Sequence, residues 1–161
     1  MCAVEKAVLE GLKKGIQQEL AAYLFYKKGL GFVKDEELRD MLTKLASDEK
    51  DHSRILEGQY DCLVRSEMWN TYNDILKKEG LPDIDENMAE IHNELIDELS
   101  EATTPLRVLE IALILEKQAR DFYAVLAEKV KDPKGKDTYI FLSKFEQGHI
   151  NKIERLMGGY K

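Results

Sequence analysis

Two stretches of the chain, SDEKDHSRIL (residues 47–56) and KFEQGHINKI (residues 144–153), each place a glutamate three residues before a histidine. The pairs are Glu49 with His52 and Glu146 with His149. The chain has only 3 histidines, so this single spacing accounts for most of its imidazoles. On a helix, residues at i and i+3 lie about 5–6 Å apart at Cβ, which sets each carboxylate beside its imidazole on one face. Outward from the first pair, Leu38, Leu42, Leu45, Glu49, His52 and Leu56 follow alternating steps of four and three. Outward from the second, Tyr139, Leu142, Glu146, His149, Ile153 and Leu156 do the same. That alternation traces one core-facing stripe of a helix packed at near-heptad spacing.

Two further stripes share the character. One is Leu12, Ile16, Glu19, Tyr23, Tyr26 and Leu30; the other is Leu109, Ala112, Glu116, Ala119, Tyr123, Leu126 and Val130. Each is apolar except for a glutamate at its middle. The pattern is also an internal repeat: Glu19, Tyr26, Glu49 and His52 recur at one common offset as Glu116, Tyr123, Glu146 and His149. Two helical hairpins of one design predict an all-α chain, an antiparallel four-helix bundle with approximate two-fold symmetry.

Punctuation supports the four helices. The chain has 3 prolines, each in a polar, turn-like stretch, and the segments between are rich in helix formers. The first helix is expected from about Ala3 to Lys28, closed by the glycines of GLG. The second starts near Asp35, where Glu36 and Glu37 suit the positive end of the helix dipole. The third follows Thr104 as cap, with Pro105 in its first turn. The fourth follows KDPKGKD with Asp137 as its cap and stops at Gly158 and Gly159. A single domain over 1–161 divides into a first hairpin (3–56), a crossover insertion (57–104) and a second hairpin (105–157). The crossover carries two amphipathic stretches, about 65–78 and 86–100, which either prolong the second helix or form helices of their own.

Composition narrows the function. A chain of 161 residues with 43% apolar and 34% charged residues can build one solid core. A net charge of −7 with no basic stripe argues against nucleic acid as a partner. No uncharged stretch approaches the roughly 20 residues of a membrane-spanning helix, and the N-terminus does not read as a signal peptide. Cys2 and Cys62 form no C-x-x-C pair, which fits a reduced, cytoplasmic setting without a disulfide frame. His92 has no glutamate three residues before it and reads as a surface residue. Met68, Trp69 and Tyr72 read as ordinary packing residues.

The buried glutamates need a reason. A carboxylate stripped of water costs several kcal/mol or more unless it is paired or neutralised. The inward stripes offer no lysine or arginine, since Lys50 and Arg54 fall on other faces. Four carboxylates are balanced without remainder by two divalent cations, and two imidazoles add neutral donors. Mixed carboxylate and imidazole ligation suits iron or manganese rather than a soft metal.

The set Glu19, Tyr26, Glu49-x-x-His52, Glu116, Tyr123, Glu146-x-x-His149 resembles the ferritin-like di-iron carboxylate superfamily, and within it most closely the rubrerythrins. One glutamate from each of two helices and Glu-x-x-His from each of the other two is the ligand pattern of those bundles. The resemblance covers the four helices. It implies two iron ions, with manganese the alternative: Glu49 and Glu146 bridge, Glu19 and Glu116 are terminal, and His52 and His149 serve one metal each. Tyr26 and Tyr123 either fill the bundle or hydrogen-bond a ligand carboxylate and tune the metals; in the second role they are the candidate catalytic side chains. The implied activity is reduction of hydrogen peroxide or dioxygen; a homodimer is expected separately, since a long crossover of this kind can cover the bundle, dimerise it or swap between protomers. Electrons would come from an external donor such as a rubredoxin, because the rubredoxin domain with its paired C-x-x-C is missing from this sequence. A second departure is Ala119, where a typical rubrerythrin has a further glutamate. Storage ferritins fit less well: they usually carry one Glu-x-x-His, and the haem-ligating methionine of bacterioferritins is replaced by Lys50. Two other readings stand beside this one, iron oxidation for storage and a helical interaction module that uses the insertion.

Overall fold

The computed structural model describes residues 6–77, 94–100 and 103–160. Its elements are α1 (Lys6–Leu30), α2 (Glu36–Ser66), α3 (Tyr72–Lys77), α4 (Glu94–Asp97), α5 (Pro105–Lys129) and α6 (Pro133–Met157), followed by a 3-10 turn (Gly158–Tyr160). The described residues are all-helical, with no strand among them. Local chemistry sets the helix starts. Asp35 caps α2 by accepting from the Leu38 amide, and Thr104 caps α5 by accepting from the Arg107 amide just ahead of Pro105.

The start of α6 differs from the expectation. Asp137 is not its cap: Asp132 is, its carboxylate accepting from the amides of Lys134 and Gly135. Pro133 supplies the helical φ at the first position and lacks an amide that would need a partner. The Asp–Pro pair therefore starts the helix earlier and leaves Asp137 inside it.

Both alternatives for the crossover occur. Helix α2 continues beyond Leu56 to Ser66, ending where Glu67 adopts a left-handed conformation (φ 57°) and donates its amide to Leu63 O. Helices α3 and α4 are then short elements of their own. Two glycines make this end of the molecule possible. A Cβ at Gly58 would lie 2.3 Å from Ile75 Cγ2, and one at Gly135 would lie 2.8 Å from the Trp69 ring. Their absence lets α3 seat on α2 and lets Trp69 pack against α6. Gln59 ties the turn down: its Nε2 donates to Asn70 O and Thr138 Oγ1, and its Oε1 accepts from the Asn70 amide. Residues 78–93, with the expected apolar positions Met88 and Ile91 and the expected surface His92, lie outside the described residues, as does Cys2.

Helix α1 packs along α2 and α5 packs along α6; α1 also meets α5, and α2 meets α6. The buried apolar residues form two clusters. One holds Tyr26, Leu42, Leu45, Leu109, Ala112 and Ile153. The other holds Leu12, Ile55, Leu56, Tyr123, Tyr139 and Leu142. Every long helix passes from one cluster to the other, and its glutamate lies between. The order in which the chain meets them gives the directions: α1 and α6 run one way, α2 and α5 the other. Because α2 and α5 share a direction, the chain must return along the whole molecule to begin α5, a distance of about 37 Å for helices of this length. That explains the long crossover. Trp69 packs in the cluster where α2 ends, and Ile96 and Leu99 pack in the cluster where α5 begins. The all-helical arrangement is compatible with a four-helix bundle.

Candidate metal centre

The six expected ligands come together in the layer between the clusters. Glu19, Glu49, His52, Glu116, Glu146 and His149 are all between 0% and 2% exposed. They form two overlapping tetrads, Glu19–Glu49–His52–Glu146 and Glu49–Glu116–Glu146–His149, whose donor atoms lie within 4.8 Å of one another. Glu49 and Glu146 belong to both. Such buried groups could hold a metal ion.

Both imidazoles turn Nδ1 to the carboxylates. His52 Nδ1 is 2.9 Å from Glu146 Oε1 and 3.6 Å from both Glu19 Oε2 and Glu49 Oε2. His149 Nδ1 is 3.1 Å from Glu49 Oε1 and from Glu146 Oε2, and 3.3 Å from Glu116 Oε2. The rings stack with centroids 6.0 Å apart. The donors are nonetheless under-used: Glu19 Oε2 and Glu49 Oε1 are buried without a hydrogen bond among the described residues. A buried oxygen left without a hydrogen-bond donor costs on the order of 1–3 kcal/mol, so these atoms suit a cation.

The electrostatics are those of a site short of positive charge. Burial, then the neighbouring glutamates, pushes Glu49 and Glu146 well above the usual 4.5 of a glutamate. Burial would raise Glu19 as well, but the adjacent Glu49, the His52 charge and the Tyr123 hydroxyl hold it below that value. Glu116 is likewise held down against burial, by Glu146 and His149. Burial would lower both histidines, yet the surrounding carboxylates push them up. Four stacked carboxylates cannot all ionise unaided. The raised values of Glu49, Glu146 and both imidazoles all favour bound protons, the charge balance that a cation would otherwise supply.

The two tyrosines form a reciprocal pair across the repeat. Tyr26 of α1 donates its hydroxyl to Glu116 of α5, and Tyr123 of α5 donates to Glu19 of α1. Burial, then the adjacent glutamates, pushes both phenols well above their ordinary value, so they remain donors. The structure therefore places both hydroxyls on carboxylates, in addition to their filling the apolar clusters.

Between α1 and α5 a cavity of about 50 Å³ opens onto the carboxylates. Gln18, Glu19, Ala22, Glu49, Glu116 and Ala119 are among its lining. Ala22 and Ala119 are equivalent positions of the repeat, and their methyl side chains leave this space. A cavity of this volume has room for water-sized molecules beside the carboxylates.

Sequence reasoning missed Asp48. It is 5% exposed, with Oδ2 2.9 Å from His149 Nε2 and Oδ1 3.1 Å from Lys44 Nζ. Burial would raise its carboxyl, but the hydrogen bonds with His149 and Lys44 hold it below its usual value. A residue-by-residue comparison of the repeat offers a signal, since the position equivalent to Asp48 is Phe145.

Compared with known proteins, the chain matches no protein-family model and no curated protein.

Proposed function

We propose that these six side chains bind two metal ions inside a ferritin-like four-helix bundle, and that the protein is a rubrerythrin-like oxidoreductase. Its oxidant is hydrogen peroxide, or dioxygen, and its electrons come from an external donor such as a rubredoxin. The observation that carries the reading is the overlap of two tetrads on Glu49 and Glu146, with carboxylate oxygens left orphaned. On this reading Glu49 and Glu146 would be shared between the two metals, Glu19 and Glu116 would each serve one, and His52 and His149 would each offer Nδ1 to one. Oxygen and imidazole donors without a thiolate favour iron, with manganese the alternative.

Bound there, the iron pair would supply two electrons and the Lewis acidity to break an O–O bond. The chain's own residues supply the rest. Ala22 and Ala119 keep open the cavity through which a small oxidant reaches the carboxylates. Tyr26 and Tyr123 orient Glu116 and Glu19 by donating to them. The apolar clusters on either side keep bulk water from the layer. Reduction of one peroxide takes two electrons and two protons and releases two waters, so each turnover needs a reductant from outside.

Metal analysis of protein purified without added metal should find about two iron ions per chain on this reading. Stopped-flow mixing of the anaerobic, reduced protein with peroxide should then oxidise it far faster than air-saturated buffer does. Oxidation by peroxide no faster than slow exposure to air would overturn the peroxidase reading.

A further inference from the structure

The two halves of the site are nearly equivalent in sequence and unequal in structure. Each imidazole faces the glutamates through Nδ1. A ring that gives its Nδ1 lone pair to a cation carries its proton on Nε2, and that N–H needs an acceptor when buried. For His149 the acceptor is present: Asp48 Oδ2 lies 2.9 Å from Nε2. The other Asp48 oxygen lies 3.1 Å from Lys44 Nζ, which holds the carboxylate in place. For His52 there is none. Its Nε2 is buried without a hydrogen-bond partner among the described residues. Phe145 packs edge-on to the His52 ring at 4.7 Å between centroids, and Phe141 does so at 6.4 Å. Positions 44 and 48 of the first half are equivalent in the repeat to positions 141 and 145 of the second, so two substitutions, Lys44 against Phe141 and Asp48 against Phe145, separate the two environments.

We infer that the two metal positions are unequal and fill in order. Asp48, a positioning residue, makes the position bounded by Glu49, Glu116, Glu146 and His149 the tighter one. The inference rests on the metal reading above and adds an order of affinity to it. A carboxylate on the far nitrogen fixes the tautomer and the ring plane and makes Nδ1 a stronger donor; losing such a partner typically costs 10–100-fold in metal affinity. The position bounded by Glu19, Glu49, His52 and Glu146 lacks that support and fills second.

The test is anaerobic titration of the metal-free, full-length protein with cobalt(II), followed by its visible absorption and calibrated with a competing chelator. Two separate steps of one equivalent each are expected. Asp48→Asn should weaken the first step by about 10–100-fold, change the second by less than about 3-fold, and so bring the steps together. His52→Gln should keep the tight step and His149→Gln should lose it, which decides the assignment even if Asp48→Asn does not fold. Two equivalents of equal affinity would overturn the inference and leave the metal reading standing. So would an Asp48→Asn variant that shifts both steps alike, as a merely structural role would. A protein that takes up no cobalt would overturn both.

Discussion

The charged layer and the apolar clusters on either side of it are buried to the same degree, and they stand in opposite energetic positions. Leu42 and Leu142 leave water at a gain of about 25 cal/mol for each Å² of apolar surface, whatever else is bound. Glu49 and Glu146 leave water at a loss that only a counter-charge offsets. The difference separates what holds the chain together from what the chain holds. The clusters keep four helices in register, and the layer between them is tolerable only when something positive sits in it. Without metal, the raised values of Glu49, Glu146 and the imidazoles favour protons in that role.

Supplying the counter-charge should produce the largest effect. At free metal of about 1,000 times Kd, each ion would add about 4 kcal/mol, so two would add about 8 kcal/mol. For a chain of this size that is a rise in Tm on the order of 20 °C, read by calorimetry of metal-free and loaded protein. Equal melting of the two forms would break the contrast between layer and clusters.

Substitutions should then differ in sign between the regions. Leu42→Ala or Leu142→Ala should cost about 2–5 kcal/mol in both metal-free and loaded protein, measured by denaturant unfolding. Glu49→Gln should leave the metal-free protein at least as stable as before, because the amide is neutral without taking up the proton that burial and the neighbouring glutamates favour on Glu49. The same variant should lose most of the metal-dependent rise in Tm, since Glu49 serves both tetrads. A Glu49→Gln protein as fragile as Leu42→Ala would show that the layer contributes stability as the clusters do.

Tyr123→Phe sharpens the boundary between the regions, because its ring lies in a cluster and its hydroxyl in the layer. Loss of the hydrogen bond to Glu19 should cost about 1–3 kcal/mol without disturbing the packing of the ring, checked by unfolding of the metal-free variant. Tyr26→Phe should behave alike through Glu116.

The smallest effect is that of pH. Glu49, Glu146, His52 and His149 have folded values raised above their ordinary 4.5 and 6.5. A raised group contributes stability that is fully present below its unfolded value and is lost as pH rises through the folded one. Metal-free protein should therefore lose several degrees of Tm between about pH 5 and pH 8. Glu19 and Glu116, held low, act in the opposite sense and withdraw their contribution below about pH 4.5. Loaded protein, in which the ligands must be deprotonated, should gain over the metal-free form as pH rises. A gap in Tm that does not widen from pH 5.5 to 8 would argue against cations taking the place of protons.

Spacing and charge alone determined the all-helical class and picked out Glu19, Glu49, His52, Glu116, Glu146 and His149. A glutamate inside an apolar stripe is too costly to be incidental, and the repeat names its partners. The start of α2 at Asp35 and of α5 at Thr104 was legible because capping is local chemistry. The start of α6 was misplaced for a local reason too, since Asp132 followed by Pro133 outcompetes Asp137. The fate of residues 57–77 was open in the sequence: periodicity does not say whether a helix continues, and Gly58 and Gln59 act through Ile75, Asn70 and Thr138, none of them near neighbours in the chain. Asp48 could be flagged by the repeat but not given a role, for a stronger form of the same reason. Its place beside Glu49 is visible in one dimension, but its burial and its bond to His149 depend on how α2 turns against α6. The spacing of residues sets which side chains share a helix face, and only the rotation of one helix against another decides which imidazole receives the carboxylate.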